Sequence, residues 1–270
     1  MPELPEVEVT RRSVEPLVVG QIIRDVRLGK PLRWPLSCEP SSLVGSSIKA
    51  VRRRAKYLLL ELDEGLLLIH LGMSGSLQFH RERAAPGPHD HFDLVLCSGL
   101  LRLHDPRRFG AVVWIRSPED PLADKLLGAW GVEPLSDEFT VQALWRGLRA
   151  TRAPVKQLLL AGRVVVGVGN IYACEALFRA GIRPTSRSDR IGMARVIRLH
   201  AAIRAVLLQA LAAGGSSLRD FASVDGTLGH FQTQTMVYGR AGAPCRVCGT
   251  AIKVMQQAQR STYFCAICQR

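Results

Sequence analysis

The sequence has no long hydrophobic run and no recognisable export signal. No apolar run reaches the roughly 18 residues that a membrane-spanning helix needs. No basic region followed by a hydrophobic segment opens the chain, as it would in a signal peptide. Because 47% of the 270 residues are nevertheless hydrophobic, the chain can bury sizeable cores. We therefore expect a soluble, cytoplasmic protein that does not interact with membranes.

Acidic residues are few, and they are absent from the last part of the chain. The 23 Asp and Glu residues face 36 Lys and Arg residues, so the formal net charge is +13 and the sequence pI is about 10.0. No acidic residue follows Asp225. Beyond that point the charged side chains are all basic: Arg240, Arg246, Lys253, Arg260 and Arg270. This excess favours a polyanionic partner such as nucleic acid.

The seven cysteines form an odd set in a chain without an export signal, which argues against a disulfide framework. Cys38, Cys97 and Cys174 are predicted to be small buried hydrophobic residues, and we assign them no function. The other four form two Cys-x2-Cys pairs separated by sixteen residues: Cys245, Cys248, Cys265 and Cys268. This spacing is typical of one structural zinc ion held by four thiolates, with no position left open for catalysis.

The first six residues place an amine beside two carboxylates. If Met1 is removed, Pro2 becomes the N-terminus, and a free α-amine titrates near about 7.7 to 8.0, well below lysine. Such an amine can attack a sugar C1′ and form a Schiff base, with Glu3 and Glu6 as candidate proton-transfer groups. The alternative is purely structural, with Pro5 as the first residue of a helix and the acidic side chains complementing its dipole.

Hydrophobic periodicity predicts a β-rich first half. Residues 6–19 have helical spacing and end at Gly20. A period of two then predicts strands over 22–28, 47–62, 66–79, 92–104 and 111–116, with turns at Asp63-Glu64-Gly65 and Ser98-Gly99. Several strands with one helix suggest a β-sandwich domain.

The second half is predicted to be helical, with helices over 140–149, 154–161, 172–180 and 189–213. The glycine-rich turn 166–170 runs into the third of these, and such a helix terminus presents free N–H groups to an anion. A dinucleotide site is the rival interpretation, but Tyr172 replaces the third glycine of that motif. We interpret the turn as part of a helix-two-turns-helix DNA-binding unit with Asn170 on a phosphate.

These patterns predict an α+β protein with three parts. Residues 1–133 form the catalytic β-sandwich domain with its N-terminal helix, residues 134–235 the helical DNA-binding domain, and residues 236–270 a zinc-finger β-hairpin. The segment 214–237 has few apolar residues and no clear period, which predicts a mobile loop over a pocket.

Several motifs occur in a single order along the chain: PELPEVE, RRAKYLLLEL, HLGMSGSL, HDPRRFGA, GVGNIYA, VYGR and the four-cysteine module. Together they resemble the formamidopyrimidine-DNA glycosylase (Fpg/Nei) family over nearly the whole chain. The resemblance implies a monomeric bacterial enzyme, associated with the nucleoid through its DNA substrate, that flips oxidised purines out of duplex DNA and also cleaves at abasic sites. It implies that Pro2 attacks C1′ and that β,δ-elimination follows, with Glu3 moving protons at the sugar and Glu6 holding the pocket.

The same resemblance implies the remaining site residues. Pro2, Glu3, Lys56 and Arg260 form the catalytic set, with Lys56 against a DNA phosphate and Arg260 near the lesion. The resemblance also implies DNA or lesion contacts at Glu6, His70, Met73, His89, Arg107, Phe109, Lys156, Asn170 and Tyr238. Met73, Arg107 and Phe109 would enter the duplex when the damaged nucleotide leaves.

Structural alternatives exist for several of these residues. Lys56 lies in a basic cluster that also suits an edge strand, while His70 and His89 suit an ordinary sheet and loop histidine. Lys156 could be a helix-surface charge, and Met73 and Phe109 could belong to the core.

Two other functions fit part of the pattern. One is an endonuclease VIII-type glycosylase for oxidised pyrimidines, although Leu4-Pro5 stands where that type usually has Gly-Pro. The other is a non-catalytic zinc-containing DNA-binding protein, against which the intact Pro2-Glu3 start argues.

Overall fold

The computed structural model describes residues 2–117, 119–128, 130–216 and 231–270. The chain forms two compact units, the first built from residues 1–129 and 213–230 and the second from 130–212 and 231–270. Residues 217–230 of the predicted loop lie outside the described residues. The division at residues 133 and 235 stays a prediction.

The first unit begins with helix α1, Leu4–Val18. Glu3 is its N-cap, and Pro5 follows within the first turn, where its missing N–H leaves no hydrogen bond unmade. One face of the helix is buried and packs on the sheets through its apolar residues Val7, Val14 and Val18. The helix thus begins at Leu4, directly after its capping residue and two residues before the predicted start.

Eight strands form the two antiparallel sheets of a sandwich, which confirms the predicted architecture. Their bounds are β1 Ile23–Leu28, β2 Ala50–Arg54, β3 Tyr57–Glu61, β4 Leu66–His70, β5 Ser76–His80, β6 Asp90–Leu96, β7 Leu100–His104 and β8 Ala111–Ile115. The strand order is β1-β6-β7-β5 in one sheet and β2-β3-β4-β8 in the other.

Two predicted strands each divide into two. The predicted strand 47–62 turns back at Ala55, whose φ is 54°, so β2 and β3 pair as a hairpin. The predicted strand 66–79 breaks at Gly72, whose φ is 66°, and β4 and β5 belong to different sheets. Both breaks carry candidate site residues, because Lys56 and Met73 directly follow them.

The alternating burial of β3 shows how the second sheet is covered on both faces. Leu58 and Leu60 enter the main core between the sheets and α1. Leu59 packs on a smaller cluster with Ala123 and Leu126. These two residues lie in a short helical segment, α2 Pro121–Ala123 and the π-helical turn Asp124–Gly128.

The second unit contains the four predicted helices. They are α3 Val141–Arg149, α4 Val155–Ala161, α5 Asn170–Ala180 and α6 Met193–Ala212. The last begins four residues later than predicted, because a separate 3-10 turn, Ser188–Arg190, precedes it. Helices α4 and α5 both end at left-handed glycines, Gly162 and Gly181.

A two-stranded hairpin completes the second unit, with strands β9 Lys253–Gln257 and β10 Arg260–Phe264. Its turn consists of Ala258 and Gln259, both with positive φ, as the tight twist of a two-residue hairpin requires. The zinc-finger hairpin predicted at this position is confirmed.

The cysteines outside the four-cysteine module only partly follow the prediction. Cys174 is buried in α5, but Cys97 is exposed and Cys38 is only half-buried. The prediction was wrong for Cys97 because it lies in the turn between β6 and β7, where Arg24 Nε donates to its Sγ over 3.1 Å. Within the described ranges, no helix is both long and apolar enough to cross a bilayer.

Candidate functional site

The carboxylates of Glu3 and Glu6 are fixed by a reciprocal capping box at the start of α1. The Glu3 side chain accepts from the backbone N–H of Glu6, and the Glu3 N–H donates to Glu6 Oε2 over 2.9 Å. Both residues are buried, and Pro2 beside them is buried too. The helix N-terminus favours negative charge here. A rigid pair of carboxylates therefore lies next to residue 2.

Glu6 also holds a segment that is remote in sequence. Its Oε1 accepts from the Ser216 backbone N–H over 2.7 Å and from Ser216 Oγ over 2.9 Å. Ser216 is fully buried, and Gly215 approaches so closely that an added Cβ would lie 3.2 Å from Glu6 Oε1. Glu6 thus anchors Ser216, the last residue before the segment 217–230.

Lys56 and His70 lie close together on the second sheet. Lys56 is in the β2–β3 turn, and its neighbour Tyr57 pairs with His70, with ring centroids 4.9 Å apart. Burial, followed by the charges of Lys56 and Arg33, lowers the pKa of His70 to about 4. His70 Nδ1 accepts from the Gly72 N–H over 3.0 Å. The neutral ring therefore carries its proton on Nε2, where it can donate without being charged.

Met73, Arg107 and Phe109 lie on two adjoining loops of the first unit. Met73 is 42% exposed and Phe109 44% exposed, so neither is a core residue. The Arg107 guanidinium lies 4.9 Å from the Phe109 ring centroid. Gly72 of the first loop packs directly on the Phe109-Gly110 backbone of the second. The structure thus brings together the two loops that carry the three side chains predicted to enter the duplex.

His89 is exposed on the loop before β6. A buried ionic network holds this loop in place. Arg102 donates to Ala84 O over 3.0 Å and to Asp93 Oδ1 over 2.8 Å. Asp90 accepts from the Gly87 N–H over 2.7 Å. The loop that carries His89 is therefore bound to the sheet by charge-assisted hydrogen bonds.

In the second unit, Lys156 and Asn170 converge on the hairpin strand β10. Lys156 is fully buried, and its Nζ donates to Thr262 Oγ1 over 2.6 Å and to Ser261 O over 3.3 Å. Asn170 Nδ2 donates to the same Ser261 carbonyl over 2.9 Å. The interpretation of Lys156 as a helix-surface charge is therefore wrong. Arg260, the exposed first residue of β10, directly precedes Ser261.

Tyr238 is positioned by a buried carboxylate of α5. Glu175 accepts from the backbone N–H groups of Met236, Val237 and Tyr238 at 2.8 to 2.9 Å. The ring of Tyr238 packs edge-on against Tyr263 of β10, with centroids 5.0 Å apart. This segment is therefore attached to both the helix and the hairpin.

The four Sγ atoms of Cys245, Cys248, Cys265 and Cys268 lie within 4.8 Å of one another. The Cys245–Cys268 and Cys248–Cys265 pairs are 3.9 and 3.4 Å apart. Tetrahedral zinc with Zn–S bonds of about 2.3 Å needs sulfurs about 3.8 Å apart. The residues fit the metal, so the predicted single structural zinc is confirmed.

Sequence reasoning missed the residues that position the others. Glu175, Ser216, Thr262 and Asp105 are buried polar residues whose partners lie on other segments. Only Asp105 stands in a recognisable signal, the Asp-Pro of a turn. The predicted site residues fall in the first unit, from Pro2 to Phe109, and in the second, from Lys156 to Cys268.

The fold and the site define a zinc-finger DNA-binding protein with a buried acidic N-terminus. Residues 1–112 match the formamidopyrimidine-DNA glycosylase N-terminal domain, 130–222 the H2TH domain of the same enzymes, and 242–270 the zinc finger found in FPG and IleRS. The chain belongs to the formamidopyrimidine-DNA glycosylase family, as the motifs predicted.

Individual proteins of this family are similar along their whole length. The formamidopyrimidine-DNA glycosylase of Acidovorax sp. strain JS42 is 64% identical over 270 residues, with all of both chains covered. The crystal structure of the MutM (Fpg) protein from Thermus thermophilus is 42% identical with a TM-score of 0.91, covering 99% of this chain and 98% of the other. The Lactococcus lactis Fpg in complex with DNA containing N7-benzyl-Fapy-dG is 34% identical with a TM-score of 0.91, and all of both chains is covered.

Proposed function

We propose that Pro2 is the nucleophile of this base-excision-repair DNA glycosylase and abasic-site lyase. Its substrates are oxidised purines, 8-oxoguanine and formamidopyrimidines, in duplex DNA. The observation that carries the proposal is the capping box at Glu3 and Glu6, which fixes two buried carboxylates directly after residue 2. A helix cap alone would not need both carboxylates buried, because exposed caps stabilise helices as well.

The chemistry follows from an amine in this position. Once Met1 is removed, the Pro2 nitrogen attacks C1′, the bond from C1′ to the base breaks, and the base leaves with the bonding electrons and takes up a proton. The Pro2 nitrogen then loses its proton, and the C1′–O4′ bond opens with protonation of O4′, which leaves an iminium ion between Pro2 and C1′. This iminium ion acidifies the C2′ proton, whose removal expels the 3′ phosphate, and a second elimination releases the 5′ phosphate. Glu3 is the carboxylate nearest to the amine in sequence and is therefore the proposed proton carrier. Glu6 has a supporting role, because its side chain is hydrogen-bonded to the Ser216 N–H.

The DNA contacts are assigned to both units. Lys56 and the neutral His70 Nε2–H bind phosphates on the first unit, and His89 adds a contact from its loop. On the second unit, the α5 N-terminus with Asn170 binds a phosphate, and Tyr238 contacts the backbone. The buried Lys156 and the exposed Arg260 act near the lesion.

Base extrusion is assigned to Met73, Arg107 and Phe109. A flipped base leaves a gap in the stack, and flipping costs a few kcal/mol of stacking and pairing. Two apolar side chains and one multidentate donor can fill this gap and satisfy the orphaned partner base. Their exposure on adjoining loops supports this role.

We further propose that the protein acts as a monomer in the bacterial cytoplasm and associates with the nucleoid through its DNA substrate. Its net charge of +13 supports association with DNA. The three predicted domains, 1–133, 134–235 and 236–270, would then correspond to chemistry, DNA binding and the zinc clamp.

The decisive experiment compares single lesions in otherwise identical duplexes. Protein whose N-terminus has been verified as Pro2 should incise DNA with one 8-oxoguanine opposite cytosine, and it should act much more slowly on a single 5-hydroxyuracil. Preference for the pyrimidine lesion would indicate the endonuclease VIII type. Binding without incision of either duplex would mean that the protein is a non-catalytic DNA-binding protein.

A further inference from the structure

A buried carboxylate lies directly beneath the loops that carry Met73 and Phe109. Asp105 is fully buried at the end of β7. Its Oδ2 accepts from the Gly110 N–H over 2.7 Å, and its Oδ1 accepts from Ser74 Oγ over 3.3 Å. One side chain therefore binds the residue after Met73 and the residue after Phe109.

The backbone of Asp105 adds two further links. Its N–H donates to His89 O over 2.8 Å, and its carbonyl accepts from the Arg108 N–H over 3.1 Å. Arg108 has a φ of 56°, an uncommon conformation for a side chain of this size. The hydrogen bonds from Arg108 and Gly110 hold this turn from both sides. Three loops that carry proposed DNA contacts thus meet at a single residue.

Two glycines allow the loops to approach one another this closely. A Cβ on Gly72 would lie 2.5 Å from both Gly110 N and the Phe109 carbonyl carbon. A Cβ on Gly110 would lie 2.9 Å from Asp105 Oδ2. The loops therefore touch backbone to backbone, and a shift of one displaces the other.

We infer that Asp105 is a positioning residue that fixes the Met73 loop and the Arg107–Phe109 loop as one rigid wedge before DNA binds. If the loops had to become ordered on the DNA, the entropy cost of that ordering would reduce the binding free energy available for base extrusion. Because Asp105 is fully buried beneath these loops, it acts through them and not on the reacting atoms. The inference rests on the proposed role of Met73, Arg107 and Phe109 in opening the duplex.

Asp105 acts by accepting two hydrogen bonds, so substitutions that keep or remove the acceptor should have different effects. Asp105→Ala leaves the Gly110 N–H and the Ser74 hydroxyl without their acceptors. Asp105→Asn keeps an oxygen for the Gly110 N–H and turns an NH2 group toward Ser74, whose hydroxyl can rotate and accept. The asparagine variant should therefore restore what the alanine variant loses.

The test compares two reactions of the same protein in single-turnover experiments. Asp105→Ala should slow excision of 8-oxoguanine by about tenfold or more, the order expected when buried hydrogen bonds lose their acceptor. Cleavage at a preformed abasic site, which has no base to extrude, should change by less than about threefold by the same reasoning. Asp105→Asn should stay within about threefold of the parent protein on both substrates. The fluorescence of 2-aminopurine beside the lesion should report slower duplex opening in Asp105→Ala, independently of bond breaking.

Controls separate positioning from loss of stability. Leu94→Ala removes a fully buried core side chain of β6 and should lower both reactions by the same factor. Ser74→Ala removes the donor of the same hydrogen bond and is the milder change. It should show the same substrate contrast, and it replaces Asp105→Ala as the test if that variant folds poorly. An equal loss on both substrates in Asp105→Ala and Ser74→Ala would overturn the inference.

Phe109→Ala separates the duplex-opening role of the wedge from the positioning of the wedge by Asp105. If Phe109→Ala shows the substrate contrast and the Asp105 and Ser74 variants do not, the wedge is correct and its positioning by Asp105 is wrong. If Phe109→Ala also shows no contrast, the proposed duplex-opening role fails and the positioning inference fails with it.

Discussion

At the scale of single residues, Glu3 and Glu6 hold each other by their backbones and side chains at the start of α1. Glu6 also uses one oxygen to bind Ser216. Because the Glu6 oxygens accept these bonds, it serves as a support, and Glu3 is the better candidate for proton transfer. The proposed nucleophile beside them is the amine of residue 2.

Pro2 should form a covalent intermediate that borohydride can reduce. An α-amine has the near-neutral reference pKa that nucleophilic attack at cellular pH requires. Reduction in the presence of abasic or 8-oxoguanine DNA should trap the protein, and peptide mapping should place the adduct on Pro2. A preparation that retains Met1 is the matched control, since its Pro2 nitrogen is an amide and peptide mapping should find no adduct on Pro2. An adduct on Lys56 or Lys156 would falsify the assignment.

His70 should make stability depend on pH between about 6.5 and 4. Burial lowers its pKa in the folded state, so the unfolded chain binds more protons in this window and the free energy of unfolding falls as the pH drops. From pH 7 to pH 5 the loss should be about 2 kcal/mol. Urea titrations at both pH values should show a smaller loss in His70→Asn, whose side-chain oxygen can still accept from the Gly72 N–H. If both proteins lose the same stability, His70 is not the titrating group.

At the scale of secondary-structure elements, the zinc hairpin supports residues outside itself. Strand β10 provides the partners of Lys156 and Asn170, and Tyr263 of the same strand packs on Tyr238. A hairpin of two five-residue strands is too small to be stable alone. Bound zinc would stabilise β10, and β10 in turn positions Lys156 and Asn170. DNA binding by this unit should therefore depend on zinc.

Cys265→Ser should impair DNA binding more than global folding. The metal stabilises a terminal module whose order depends on it, and the two sheets of the first unit do not contain it. Zinc content should fall, incision should be lost, and most of the ellipticity should remain. Cys97→Ser is the matched control, because Cys97 is exposed and lies outside the four-cysteine cluster. Normal incision by Cys265→Ser would show that the hairpin is not part of the DNA clamp.

At the scale of the whole molecule, positive charge and specific contacts serve different purposes. A net charge of +13 attracts DNA of any sequence. Recognition of a lesion depends on side chains that fill the opened stack and read the bases. The salt dependence of binding separates these contributions, because only phosphate contacts release counterions.

Affinity for duplex DNA with an abasic-site analogue should fall steeply with salt. Lys56→Ala should reduce the slope of log K against log salt by about 1, as expected when one phosphate contact is lost. Phe109→Ala should weaken binding with the slope unchanged, since its ring carries no charge. These slopes can be measured by fluorescence anisotropy between low and physiological salt. An unchanged slope for Lys56→Ala would exclude Lys56 as a phosphate contact.

Local patterns in the sequence predicted most of the architecture. Alternating apolar residues gave the strands of the sandwich, and helical spacing gave α1 and α3 to α6. The cysteine spacing predicted the zinc site, because its four ligands lie on two short turns of the hairpin and do not depend on contacts with the rest of the protein. The breaks at Ala55 and Gly72 were missed, because each depends on a positive φ at a single residue, which the hydrophobic pattern does not report.

The amino-acid sequence alone specifies the chemical groups of the site: Pro2, two carboxylates close after it, a zinc-binding set of four cysteines, and Met, Arg and Phe side chains in turns that contain glycine. The exposure of Met73 and Phe109, and the groups that support the site, depend on tertiary packing. Glu6 meets Ser216 across 210 positions, and Lys156 meets Thr262 across 106. Hydrophobic periodicity describes neighbours within one element, whereas a buried polar group must find its partner wherever packing places one. For that reason the roles of Asp105, Glu175 and Ser216 became apparent only in the folded chain.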